Sequence, residues 1–228
     1  MSDIGPTIAP VEAREELSDR ASHLSYVAHE VRNPLATALW SAELLTRLSA
    51  ADRAGARGEK LARMCLRAIG RVRRLVEDHL LAERLDVDGI PIAFEPVAVD
   101  ALLPREAAAI GAADLALDVE PGLAVDTDAT LARRAVEALL CAAAEGGAAV
   151  RLTARRSGPA VRIQVEGAPA TPSDLADRQR GDAKDVGGSA LGLGVARRAA
   201  AALGGTLSVD RGALVLELPA IDPAHGEL

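Results

Sequence analysis

Apolar residues in the first part of the chain recur at alternating intervals of four and three positions. One such series is Leu17, Ala21, Leu24, Ala28, Val31, Leu35, Ala38, Ala42 and Leu45. A second series is Leu61, Cys65, Ala68, Val72, Leu75, His79 and Ala82. This spacing is typical of heptad seams and predicts one helix over residues 11–48 and another that carries the second series. Residues 49–58, rich in Ala, Gly, Asp and Arg, are predicted to form the connecting loop.

Two helices joined by a short loop form an antiparallel hairpin, and a single hairpin leaves half of its seam exposed. Pairing two copies into a four-helix bundle would cover that surface, so we expect a homodimer. His79 falls on the second seam, where we interpret it as a polar packing residue.

The pattern changes after residues 85–89, which are predicted to link two domains. Ile90, Ile92 and Phe94 alternate as in a strand. Further strands are predicted at 115–119, 123–125, 150–155, 160–165, 206–209 and 213–218. Helices are predicted at 100–113, with Pro104 in the first turn, from Asp126 or Asp128 to about Glu145, and at 191–203. These elements predict a sheet with helices on one face.

The sequence therefore predicts an α+β protein in four parts. Residues 1–11 are an N-terminal tail and residues 12–86 a helical hairpin that dimerises. Residues 90–219 form an α/β-sandwich lobe, and residues 220–228 are a C-terminal tail.

The first helix carries a group of residues suited to nucleophilic chemistry. His29 follows a seam position, so its ring is expected at the edge of the bundle, facing water. A neutral imidazole nitrogen can act as a nucleophile, and the adjacent Glu30 can accept the proton of the other ring nitrogen. Asn33 lies one turn later on the same face. Pro34 leaves the carbonyl of Glu30 without a helical donor and predicts a bend.

These residues resemble the phosphoacceptor box of sensor histidine kinases of two-component systems, His-Glu-x-x-Asn-Pro followed by an apolar residue. The resemblance implies that His29 carries a phosphoryl group, that Glu30 is the base, and that Asn33 serves in phosphatase or transfer chemistry. It covers roughly residues 12–219, because the second half is similar to the ATP-binding lobe of that family. It also implies the same dimer.

The lobe departs from the family at its nucleotide motifs. The two asparagines expected on its Mg²⁺-binding helix fall at Ala138 and Ala142, which offer no oxygen ligand. Glu145 is one turn away and could substitute. The Asp-x-Gly-x-Gly loop aligns with residues 166–170, where Glu166 keeps a carboxylate but two glycines are alanines.

The third motif, residues 188–194, resembles the glycine-rich turn that places phosphates at a helix N-terminus, through Gly188, Gly192 and Gly194. An alternative interpretation of this glycine-rich segment is a flexible hinge before a helix. An aromatic-bearing lid is absent from residues 167–188. We expect no metal site and no firmly bound cofactor, with ATP and Mg²⁺ binding only weakly.

Composition and charge exclude several classes of function. The formal net charge of −7 argues against nucleic acid or an anionic membrane as a partner. Cys65 and Cys141 are too few for a disulfide framework and fit a reducing cytoplasm. No apolar run reaches the ~18–20 residues of a membrane span. About a dozen residues precede the first helix, so any input signal is expected from a partner.

The pattern favours a phosphorelay protein, similar to the dimeric histidine phosphotransferases, in which a response-regulator receiver domain or a partner histidine kinase phosphorylates His29. Under that hypothesis the lobe is a docking surface for receivers. Two alternatives remain open: an active ATP-dependent autokinase, and a non-catalytic dimeric scaffold that titrates a kinase or regulator.

Overall fold

The computed structural model describes residues 9–86, 91–110, 115–144, 147–175 and 189–221, without side-chain placement for residues 9–24, 26, 86, 174 and 189–191. The chain forms two compact units, which meet in sequence between Glu77 and Asp78. Gly188, Glu145 and most of the predicted linker and C-terminal tail lie outside the described residues.

The first unit is a helical hairpin. Its helices are α1 (Ala9–Arg47), α2 (Ala50–Ala54) and α3 (Ala56–Asp86), the last of which continues into the second unit. The prediction of a loop over residues 49–58 is wrong in part, because α2 occupies its middle. The Ser49 side chain caps α2 by accepting a hydrogen bond from the backbone nitrogen of Asp52, at 3.1 Å.

The buried face of α3 is the predicted one. Its seam residues are buried at Leu61, Ala68, Leu75 and Ala82 and half-buried at Cys65, Val72 and His79. The buried face of α1 agrees with the prediction at Ala38, which is buried, but differs from it at three other positions. Val27, Pro34 and Ser41 are buried, whereas their neighbours Ala28, Leu35 and Ala42, which were predicted to be buried, are exposed.

The physical reason is that α1 has two adjacent apolar stripes with the same spacing. One stripe faces α3 within the protomer. The other, which includes Leu35 and Leu39, is exposed. Trp40, the only tryptophan of the chain, is also exposed on α1.

The second unit is a sheet layered against helices. Its strands are β1 (Glu95–Ala98), β2 (Leu115–Val119), β3 (Ala124–Thr127), β4 (Val150–Ser157), β5 (Ala160–Glu166), β6 (Thr206–Asp210) and β7 (Ala213–Pro219). Its helices are α4 (Val99–Ile110), α5 (Ala129–Ala143) and α6 (Ser189–Ala202). The main sheet has the order β2-β4-β5-β7-β6, with β2 parallel to β4 and the other pairs antiparallel. Strands β1 and β3 form a separate antiparallel pair.

Three predictions for this unit are corrected or refined. The strand predicted at Ile92 and Phe94 does not form there. The strand begins later, as β1, because the pairing with β3 starts only at Glu95. Pro104 lies in the second turn of α4, since that helix already begins at Val99. Asp128, and not Asp126, caps α5: one carboxylate oxygen accepts hydrogen bonds from the backbone nitrogens of Thr130 and Leu131, at 2.9 and 3.1 Å.

The core of this unit lies between the helices and one face of the sheet. Alternate residues of β5 point into it, at Val161, Ile163 and Val165. Fully buried alanines on both α5 and α6 let the two helices pack closely. The opposite face of the sheet carries charged side chains, among them Arg162, which pairs with Asp210 and Glu217.

Candidate functional site

The predicted phosphoacceptor residues lie together on α1. His29 and Asn33 are exposed, and Glu30 is half-buried. His29 and Asn33 are one turn apart, so they share a face of the helix. Among the described residues, no hydrogen bond or ion pair engages the His29 ring. A ring nitrogen is therefore accessible to a reactant from solvent.

The helix continues through this group without a break. Pro34 is buried inside α1, and it removes the donor that would otherwise bind the carbonyl of Glu30. Just beyond it, the Thr37 hydroxyl donates to the carbonyl of Asn33 at 3.1 Å, and the Ser41 hydroxyl donates to the carbonyl of Thr37 at 2.8 Å. The bend at Pro34 remains a prediction.

A cavity of about 340 Å³ opens beside these residues, between α1 and α3. It is lined by Asn33, Pro34, Thr37, Met64, Arg67, Ala68 and Arg71. Neither Arg67 nor Arg71 is among the site residues predicted from the sequence. The available signal was the four-residue spacing of these arginines on either side of the seam residue Ala68.

The position of the predicted metal-binding helix is occupied by α5. Ala138 is half-buried and Ala142 is buried, and neither carries an oxygen. Among the described residues, no group of three or more His, Cys, Asp or Glu side chains could hold a metal ion. This part of the lobe does not supply the oxygen ligands that Mg²⁺ requires.

The predicted adenine-binding loop has a different geometry from the one that the resemblance implies. Glu166 is exposed on the sheet face opposite the helices, where its carboxylate accepts a hydrogen bond from Gln164 at 2.9 Å. The residue that faces the helices is Gly167. A Cβ at Gly167 would lie 2.3 Å from the carbonyl oxygen of Ala143. Ala168 donates a backbone hydrogen bond to the same oxygen at 2.7 Å.

The glycine-rich turn lies at the start of α6. A Cβ at Gly192 would lie 3.6 Å from the Cβ of Ala138 and 3.6 Å from a carboxylate oxygen of Asp78. Gly194 is within the helix. Asp78, which lies in α3 eight residues before its end and in the same unit, forms an ion pair with Arg134 at 3.6 Å.

These observations test whether the residues present fit ATP and Mg²⁺. Alanines occupy the two positions where the resemblance implies metal ligands, and the Glu166 carboxylate points to the other face of the sheet. The Asp78 carboxylate lies beside the turn that would receive phosphates. The described residues of the lobe do not fit the nucleotide and its metal.

The helical hairpin matches a known protein family. The His Kinase A (phospho-acceptor) domain family matches residues 19–87. None of the curated protein sequences matches the chain. No helix among the described residues has the length and apolar character needed to span a bilayer.

Several solved structures share the fold. The Acinetobacter baumannii histidine kinase AdeS has a TM-score of 0.57 and 17% identity, over 85% of this chain and 98% of that one. Histidine kinase ThkA, in complex with the response regulator protein TrrA, has a TM-score of 0.60 and 18% identity, over 96% of this chain and 68% of that one. Full-length ShkA in complex with AMPPNP has a TM-score of 0.55 and 23% identity, over 87% of this chain.

The chain spans 45% of the length of ShkA. Residues 19–87 match the His Kinase A (phospho-acceptor) domain family, and the chain shares the fold of the solved histidine kinases AdeS and ThkA.

Proposed function

We propose that this chain is a two-component phosphorelay protein. His29 receives a phosphoryl group from the phosphorylated aspartate of a response-regulator receiver domain and passes it to another receiver aspartate. One observation carries the proposal: an exposed histidine in a phosphoacceptor domain accompanies a lobe whose residues do not fit ATP. A donor other than bound ATP is then required.

The transfer needs little chemistry from the protein beyond positioning and charge stabilisation. A ring nitrogen of His29 attacks the phosphorus of the aspartyl phosphate, so an N–P bond forms as the O–P bond breaks. The bonding electron pair leaves with the receiver's carboxylate. Glu30 accepts the proton of the other ring nitrogen, which leaves neutral phosphohistidine imidazole. Transfer to a second receiver aspartate reverses these steps.

Asn33 has a different role in this scheme. Its carboxamide is exposed one turn from His29 and can hold either a phosphoryl oxygen or a water molecule. In the second case it would help water to remove the phosphoryl group.

The exposed apolar stripe of the hairpin supports a homodimer. On α3 it comprises Leu66, Ile69 and Val76, and Leu35 and Leu39 continue it on α1. These positions keep the three-and-four spacing of a seam although no described residue of the protomer covers them. A second copy would bury them in a four-helix bundle.

The test is a phosphotransfer assay with the full chain and a receiver domain labelled on its aspartate. We expect the label to move to the wild-type chain and to a His79→Gln variant, but not to a His29→Gln variant. With γ-labelled ATP alone we expect no label. Label from ATP alone would show an autokinase, and no label from either source, together with tight receiver binding, would show a scaffold; both would refute the proposal.

A further inference from the structure

The cavity between α1 and α3 is rich in hydrogen-bond donors and in positive charge. Arg67 and Arg71 are exposed and lie four residues apart on α3, so both reach the same cavity. No carboxylate is among its lining residues. Elsewhere on α3, Arg63 pairs with Glu59 and Arg73 pairs with Glu77.

Neither Arg67 nor Arg71 has an ion-pair partner within the part of the chain that the structure describes. Two like charges one helical turn apart repel each other slightly, and a bound anion would relieve this repulsion. A guanidinium presents several donors in a plane and matches the oxygens of a phosphoryl group well. The cavity therefore has the composition of an anion site.

Asn33 joins this cavity to the phosphoacceptor. It lines the cavity and lies one turn after His29 on the same face, where Cβ atoms are about 5–6 Å apart. The hydroxyl of Thr37 is already used within α1, since it donates to the Asn33 carbonyl. The donors that remain for a ligand are the two guanidinium groups and the carboxamide of Asn33.

The cavity also stays open if the hairpin pairs with a second copy. At 100° per residue, Arg67 and Arg71 lie on the side of the buried α3 seam opposite Leu66, Ile69 and Val76. If a second copy covers the exposed apolar stripe, the two arginines still face solvent. They lie on the same side of the hairpin as Asn33, so a ligand can reach all three residues.

We propose that Arg67, Arg71 and the Asn33 carboxamide form an anion site that binds the oxygens of the phosphoryl group during its transfer to His29. In phosphoryl transfer the negative charge is spread over the non-bridging oxygens, so donors that hold them lower the barrier. This inference rests on the proposed function, because it assigns binding residues to the same reaction.

Phosphoramidate tests the site without any receiver domain. It donates a phosphoryl group to histidine as its P–N bond breaks, and ammonia leaves after protonation. We expect Arg71→Gln and Arg67→Gln to slow labelling of His29 by at least about tenfold. Arg73→Gln, a matched change of an ion-paired arginine on the same helix, should stay within about twofold of the wild type.

A binding measurement with inorganic phosphate gives a second readout. In NMR titrations of the full chain, phosphate should shift the side-chain amide signals of Asn33 in the wild type and in Arg73→Gln, but not in Arg71→Gln. Unchanged far-ultraviolet circular dichroism would confirm that the variants fold.

Equal labelling rates in Arg71→Gln and Arg73→Gln would overturn the proposal. A defect of Arg71→Gln that appears only with a phosphorylated receiver would also overturn it, because the arginines would then dock the receiver and not the phosphoryl group. If no receiver phosphorylates the wild type while phosphoramidate and phosphate behave as expected, the relay is refuted and the anion site stands.

Discussion

The backbone nitrogen of Ala168 donates a hydrogen bond of 2.7 Å to the carbonyl oxygen of Ala143, which joins the end of β5 to the end of α5. The approach is possible because residue 167 has no side chain. At this point, where the family resemblance places an adenine-binding carboxylate loop, the strand and the helix are in direct backbone contact.

A Gly167→Ala substitution should destabilise the lobe. Its Cβ would lie 2.3 Å from the Ala143 oxygen, so the backbone must shift, at a cost of about 1–3 kcal/mol. Urea denaturation followed by circular dichroism measures this loss. Gly194→Ala is the control, because its Cβ has no neighbour closer than 3.4 Å. Since Gly194 lies in a helix, that control should gain up to about 1 kcal/mol. Equal stability of the two variants would contradict the expectation.

A charged residue introduced into the exposed apolar stripe should weaken the proposed dimer. We expect Ile69→Glu to raise the dimer dissociation constant by on the order of a hundredfold, because a carboxylate would be buried without a partner. Sedimentation equilibrium would show wild-type particles of twice the 23.5 kDa chain mass and smaller ones for the variant. Leu117→Glu changes an exposed leucine of the lobe and should leave the mass unchanged. A monomeric wild type would argue against the homodimer.

Replacing Pro34 by alanine should stabilise the hairpin. Alanine supplies the N–H that the Glu30 carbonyl lacks, which outweighs the small loss of buried surface and the greater freedom of the unfolded chain. We expect a net gain of about 1–2 kcal/mol in the free energy of unfolding. Slower hydrogen exchange of amides near residue 34 would locate the effect there. A loss of stability would indicate that packing of the proline ring dominates.

The ion pair between Asp118 and Arg155 should make a small, pH-dependent contribution to stability. Arg155 donates to the Asp118 carboxylate at 2.5 Å, and this hydrogen bond lowers the pKa of Asp118 below its ordinary value of 3.8. Because the folded-state pKa is lowered, the stabilisation is present above about pH 4 and disappears as the pH falls through the lowered pKa.

We therefore expect Asp118→Asn to be slightly less stable than the wild type at pH 7, and this difference to shrink as the pH is lowered toward 2. Both side chains are exposed to solvent, so added salt should shrink the difference at pH 7. Asp126→Asn serves as the control, because Asp126 is exposed and has no ion pair among the described residues. Denaturation curves at the two pH values supply the comparison.

The sequence predicted the helices and strands well where a local signal was strong. Asp128 satisfies the first free N–H groups of α5, and the α3 seam has apolar or small residues at nearly every position. The α1 face was predicted correctly at Ala38 but wrongly by one residue at Ala28 and Leu35, because these residues and their neighbours Val27 and Pro34 are all apolar. Choosing between neighbouring stripes requires knowledge of the partner helix.

The candidate site was predictable only in part. His29, Glu30 and Asn33 are close in sequence, so helical geometry alone brings them together. Arg67 and Arg71 reach Asn33 through the packing of α1 against α3, which no local pattern encodes. The contact of Gly167 with Ala143 likewise joins residues far apart in the chain.

Trp40 follows His29 by eleven residues, about three helical turns, and so lies on nearly the same face of α1. It is 54% exposed, and the chain contains no other tryptophan. Its fluorescence emission therefore arises from one known position, about three turns from the phosphoacceptor on nearly the same face. A protein that covers this face would shift the emission to shorter wavelength, so association could be followed in real time without any attached dye.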